Sequence, residues 1–150
     1  QQPVQQQVPA NTGGPSIADI EQARASVNAN PADPQVRLRL SHLLHDAKMF
    51  DQAIESYKVY LGMNPDNPDA RVDLGVCYYS LKQYDAAIQE MTTAVKAHPD
   101  HLMGHFNLGI VNLAKADTAS SVSWLRKAIE LDPSSQIAKN SASIIDRLKL

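Results

Sequence analysis

Leu40, Leu74 and Leu108 are spaced by 34 residues, and a fixed set of residues travels with them. Ser41, Gly75 and Gly109 follow directly, Ala53, Ala87 and Ser121 come next, and each unit closes on Pro65, Pro99 or Pro133. A segment of that length is one supersecondary unit that cannot bury its apolar face alone. Copies of it must stack so that a core runs from neighbour to neighbour.

Within each unit the apolar residues recur twice at helical spacing, with a short turn between. In the first unit Leu38, Leu40, Leu43, Leu44 and Ala47 define a helix opening at Pro34, where proline suits a first turn. Lys48-Met49-Phe50 is the turn, and Asp51 is expected to cap a second helix running to Leu61 with Ala53, Ile54 and Tyr57 inward. Gly62 and the Asn64-Pro65 breaker close it. Matching helices are expected over 68–81 and 85–97, then over 102–115 and 118–131. Ahead of these, Ser16 with Asp19 forms an acidic capping box for a helix from Ile17 to Ala29. Its Ile20 and Pro31 stand 34 residues before Ile54 and Pro65, so it reads as the second helix of a unit that lacks its first. A last helix over 135–149, with Ile137, Ala142, Ile144, Ile145 and Leu148 on its apolar side, is expected to cover the end of the stack.

Charge and composition narrow the function. Lys and Arg number 14 against 16 Asp and Glu, and the signs are mixed inside every unit, so no basic stripe invites nucleic acid. Cys77 is the single cysteine, which excludes an intrachain disulfide and a multi-cysteine zinc cluster. No apolar run approaches the roughly 18 residues of a membrane span, so direct membrane insertion of this chain is not expected. Residues 1–15 hold five Gln, three Pro and Gly13-Gly14 but no charge, the composition of a flexible linker. Within it, Val4 to Pro9 is an alternative polyproline-like docking segment. The chain opens on Gln1 instead of Met, and an upstream anchor or signal removed from a bacterial periplasmic protein is the first expectation for its setting, the cytoplasm the alternative.

Close antiparallel packing of two helices demands small residues at their crossing. Gly75, Gly109 and Ser41 supply them on the first helix, and Ala87, Ala53 and Ser121 on the second. With Tyr78, Tyr84, Ala94 and Pro99 added in the second unit, residues 34–135 resemble three consecutive tetratricopeptide repeats. The departures are Arg37, Arg71 and His105, where the family often places a bulky apolar residue, and Asn112 and Thr118, where aromatic residues stand in other units. The resemblance implies an all-α right-handed solenoid of about eight helices: a capping helix in 16–33, repeats at 34–67, 68–101 and 102–135, and a second cap in 136–150.

It further implies a concave groove lined by the first helix of each repeat. Carried across position by position, the groove residues are Gln35, Leu38, Arg39, His42, His45 and Asp46, then Asp69, Val72, Asp73, Val76, Tyr79 and Ser80, then Met103, Phe106, Asn107, Ile110, Leu113 and Ala114. Relatives that clamp a terminal carboxylate place Lys, Asn and Arg there; Arg39 is the one strong cation in this set. An apolar peptide or an amphipathic helix suits the groove better. The alternatives are that a second copy of the chain, the tail or the last helix covers the same face, or that the chain resembles the membrane-tethered bacterial domains of cytochrome c maturation.

Other chemistry finds little footing. His101 and His105 lie one helical turn apart and are weak metal candidates beside His98 and Asp100. Cys77 falls at a small core position, Ser120, Ser121 and Ser123 lack a nucleophile elbow, and Gly13-Gly14 lacks a phosphate-loop pattern. No cofactor and no catalysis are expected. Trp124 precedes the inward Leu125 and is expected to be a half-exposed surface aromatic.

Overall fold

In the computed structural model the described residues, 13–148, form eight helices and no strand. The expected linker and the Val4–Pro9 docking segment lie outside them except for residues 13–15. The helices are α1 (Ile17–Ala29), α2 (Pro34–Asp46), α3 (Phe50–Met63), α4 (Pro68–Ser80), α5 (Tyr84–Ala97), α6 (Leu102–Ala114), α7 (Thr118–Leu131) and α8 (Gln136–Leu148). Helices α2, α4, α6 and α8 begin 34 residues apart, as do α3, α5 and α7. Thus α8 is the first helix of a fourth unit, and α1 a second helix without its first.

Each pair α2–α3, α4–α5 and α6–α7 packs more closely than any other, and each second helix then meets the next first helix. The small residues at the crossings explain that order. A Cβ on Gly75 would lie 2.8 Å from Met91 Cγ and 3.2 Å from the Ala87 carbonyl; one on Gly109 would lie 2.6 Å from Leu125. Where Ser41 replaces glycine, its hydroxyl stays buried 2.9 Å from the Arg37 carbonyl and 2.8 Å from Ser56 Oγ, so the polar group is satisfied. Tyr57, Met91 and Leu125, the large partners in the three crossings, are all fully buried.

Local chemistry sets the helix starts. Ser16 and Asp19 form the capping box, with the Ser16 N–H donating to Asp19 Oδ2 at 2.9 Å and the Asp19 N–H donating to Ser16 Oγ at 3.2 Å. Asp33, Asn67, His101 and Asp117 cap α2, α4, α6 and α7. Asp51 does not cap α3: the helix opens one residue earlier, at Phe50, and Met49 at its cap position makes no side-chain bond. The turn itself does the positioning. Lys48, Lys82 and Ala116 take left-handed φ values of 58°, 59° and 67°, and the following N–H groups of Met49, Gln83 and Asp117 bond back to Leu44, Tyr78 and Asn112 at 2.9 Å. This is a Schellman closure repeated at 34-residue intervals, with a side chain where glycine is usual.

The last helix differs from its sequence reading. Ala138, Ser141 and Ile145 are buried, whereas Ala142 is exposed. Ala142 holds the place that Leu108 holds in α6, on the side that α7 covers there; no described helix follows α8, so nothing covers it.

Two substitutions test these causes. Ala87→Leu, at a fully buried crossing, is expected to lower stability by about 1–3 kcal/mol through overpacking, measured as a lower urea midpoint. Ala116→Gly relieves the left-handed strain and is expected to raise that midpoint by up to about 1 kcal/mol of stability, the lost αL penalty exceeding the added chain entropy.

Candidate functional site

The stack bends toward its first helices. Helix α4 packs directly on α6, and α6 on α8, while α3, α5 and α7 make no comparable approach to one another. The inner face is therefore the open face of α2, α4, α6 and α8, and the 34-residue register sorts its side chains into rows.

One row is His42, Val76, Ile110 and Ile144; a second is His45, Tyr79, Leu113 and Arg147; a third is Leu38, Val72, Phe106 and Asn140. Outside these run Arg39, Asp73, Asn107 and Ser141, and Gln35, Asp69, Met103 and Ile137. Gln35, Arg39, His42, Asp46, Asp69, Ser80, Met103 and Ala114 are exposed, and Leu38, His45, Asp73, Val76, Tyr79, Phe106, Asn107, Ile110 and Leu113 are half-buried. Val72 is the exception, only 3% exposed. Gly104 explains it: the missing side chain there lets α6 approach, with Val72 Cγ2 3.5 Å from where a Cβ would stand. Val72 joins α4 to α6 and does not line the surface.

The α8 member of each row was missed in the sequence, although the interval that found the others points to it. Helix α8 packs on α7 at the end of the stack, where a covering helix is expected, and it also takes its turn beside α6 and lengthens the inner face with Ile137 and Ile144. Val76, Ile110 and Ile144 thereby form an apolar column across three helices.

The end formed by α2 is polar. His42 Nε2 lies 3.6 Å from Asp73 Oδ2, the buried Tyr57 hydroxyl donates to the same oxygen at 3.4 Å, and the His42 and Tyr57 rings pack at 6.0 Å. The Asp73 carboxylate raises the His42 pKa above its ordinary value against partial burial, with Asp46 adding to the effect. Burial, with Asp73 nearby, pushes the Tyr57 hydroxyl far above its usual range. Behind the second row, His45 packs on Phe50 at 6.1 Å and Tyr79 on Tyr84 at 6.0 Å; Leu113 faces Thr118 in the same relation without an aromatic brace.

The histidines once paired as weak metal candidates are committed elsewhere. His101 Nδ1 accepts from the Gly104 N–H at 2.9 Å and its Nε2 donates to Asp69 at 2.7 Å. His105 is 4% exposed, donates from Nε2 to the Pro99 carbonyl at 2.8 Å, and packs its ring at a tilt against Trp124 at 5.5 Å. Among the described residues no group of three or more His, Cys, Asp or Glu is arranged to hold a metal ion. Trp124 is half-buried, and its partner His105 had given no sign of this in the sequence. Cys77 is buried, and burial followed by the Asp73 charge pushes its thiol up to about 12.

Paired antiparallel helices repeated at a fixed interval, curved toward the first helix of each pair, define an α-solenoid built as an interaction scaffold. Tetratricopeptide repeat models match residues 44–105 and 83–136, together more than half of the chain, and the chain belongs to the tetratricopeptide repeat family, whose members are generally non-catalytic interaction modules. None of the curated proteins matches it in sequence. Among solved structures it is similar to MamA (residues 41 to the end) from Desulfovibrio magneticus RS-1, with a TM-score of 0.73 at 22% identity over 78% of this chain and 66% of that one. It is similar also to YrrB, a TPR protein with an unusual peptide-binding site, with a TM-score of 0.76 at 18% identity over 83% of this chain and 64% of that one. The Arabidopsis OM64 TPR domain gives 0.70 at 16% identity over 76% and 94%. The chain spans about two thirds of the MamA and YrrB chains, and at these identities the likeness is one of fold.

The thiol supplies a direct check on the core. Cys77 is expected to resist a maleimide reagent in native buffer and to react fully once the chain is unfolded in guanidinium; rapid native labelling would show that the α4–α5 crossing is open.

Proposed function

We propose that the chain is a non-catalytic scaffold that takes an amphipathic helix or an apolar peptide of another protein on its inner face. The observation that carries this is the half-buried column Val76, Ile110 and Ile144, widened by Phe106, Leu113 and Tyr79 and left open because α8 extends the face instead of closing it. An apolar stripe at helical spacing fits such a column, and side chains from α2 (Gln35, Arg39, His42 and His45) would meet the polar end of the ligand. Mixed charge and a formal net charge of −2 favour a protein partner over nucleic acid. The peptide-binding site of YrrB supports the same kind of use.

The open, half-buried column also suits a second copy of this chain, which would cover it in a dimer. Light scattering over a concentration series together with pull-down by the parent, Val76→Glu and Ile110→Glu separates the two. A monomer that captures a partner, and loses it by at least about tenfold in affinity on placing a charge in the column, supports the scaffold. A dimer broken by the same substitutions supports self-assembly, and capture unaffected by either substitution removes the inner face from both.

A further inference from the structure

The register that orders the groove also pairs residues on the opposite side of the array. Positions 37, 71 and 105 on the first helices face positions 56, 90 and 124 on the second. In repeat 2 this is a closed ion pair, Arg71 to Glu90 at 2.9 Å, with a further bond from Arg71 to the Pro65 carbonyl. In repeat 3 the tilted His105–Trp124 ring contact takes its place, beside a hollow whose cations, Arg126 and Lys127, are exposed. Repeat 1 keeps the arginine and loses the carboxylate: Arg37 faces Ser56, whose hydroxyl is occupied by Ser41.

What remains there is a hollow of about 410 Å³ between α1 and α3, floored by Leu40 and Leu44 and walled by Val59, with Arg37 and Arg24 reaching into it. A smaller one of about 240 Å³ shares Arg24, Arg37 and Leu40. The Arg37 Nε is buried with no hydrogen-bond partner, and among the described residues no carboxylate pairs with its guanidinium. Two acids line the same hollow, and neither forms an ion pair with Arg37. Glu55 holds Lys58 at 3.1 Å, and Asp51 stands exposed in the first turn of α3, where a helix N-terminus favours it. Arg24 bonds to Gln52 and pairs with Glu21 on its own helix.

We propose that this convex hollow is a second binding site, taking an acidic side chain of a partner protein together with an aliphatic residue next to it. The carboxylate meets Arg37, in the part that Glu90 plays for Arg71 from within the chain, and the aliphatic group fills the space over Leu40, Leu44 and Val59. A guanidinium desolvated on one side and lacking its anion gains more from a carboxylate than a water-exposed arginine does. Asp51 and Glu55 share the lining, but neither forms an ion pair with Arg37, so a carboxylate brought by a partner has the guanidinium to itself. The site is independent of the inner face, because Arg37, Leu40 and Leu44 lie on the side of α2 turned to α1 and α3.

The test is a titration of the isotope-labelled full chain, followed by NMR, with the blocked peptide acetyl-Ala-Glu-Leu-Leu-amide and its Gln counterpart. The Arg37 Nε–H signal and the amides of Gln52 and Val59 should shift saturably with the Glu peptide and bind the Gln peptide about tenfold more weakly. Arg37→Gln should abolish the difference, and so should Ser56→Glu, which offers the carboxylate from inside and should leave melting unchanged or raised. If Ser56→Glu fails to fold, Arg37→Gln alone carries the comparison. Equal response to both peptides, shifts confined to the Ile110 face, or no shift at about 10 mM peptide would overturn the proposal. An Arg37-dependent dimer in sedimentation would overturn it too, by giving the hollow to a second copy.

Discussion

How near two antiparallel helices can come decides everything else in this molecule. At Gly75 and Gly109 even a methyl group would fall within 3 Å of the partner's side chain, so the pairs sit at the closest spacing a backbone allows. That spacing puts Tyr57, Met91 and Leu125 wholly out of water. It also makes the repeat stiff enough that its small rotation against the next, repeated, becomes a curved face. Close packing transmits a local fit into a long-range shape because interiors have no slack to absorb misfit.

The inner and outer surfaces use that rigidity differently. On the inner face the rows grade from polar, at His42, His45 and Arg39, to apolar, at Ile110, Phe106 and Leu113, so a bound segment would have a preferred direction. On the outer face the same register pairs one residue of each first helix with one of each second, and the pair changes its chemistry from repeat to repeat: an arginine without an acid, an ion pair, an aromatic stack. The scaffold is constant and these positions vary upon it.

Much of this was legible from one interval. The 34-residue spacing of Leu40, Leu74 and Leu108 located seven of the helices to within a residue or two, identified α1 as a half-unit, and placed most of the inner-face residues. The failures are those that periodicity cannot decide. Asp51 looked like a cap because the left-handed turn at Lys48 is invisible in a sequence that uses lysine and alanine where glycine would announce it. Val72 looked like a groove residue because its burial depends on Gly104, 32 positions away, letting α6 approach. Ala142 and Ile144 looked alike as parts of one apolar side with Ile145, because apolar spacing shows that a helix has an apolar side, not which neighbour will meet each residue on it. His105 and Trp124 were read as separate residues because their contact spans two helices.

The tilted ring contacts of His45 with Phe50 and of Tyr79 with Tyr84 carry a consequence for how such a surface can diverge. His45 and Tyr79, on the inner face, each rest against a ring that opens the following helix, Phe50 or Tyr84. The inner surface can therefore drift from behind: exchanging Phe50 or Tyr84 would re-aim an inner-face side chain without altering any residue on that face. In repeat 3 the corresponding positions are Leu113 and Thr118, so that stretch of the inner face has no ring behind it to fix its shape.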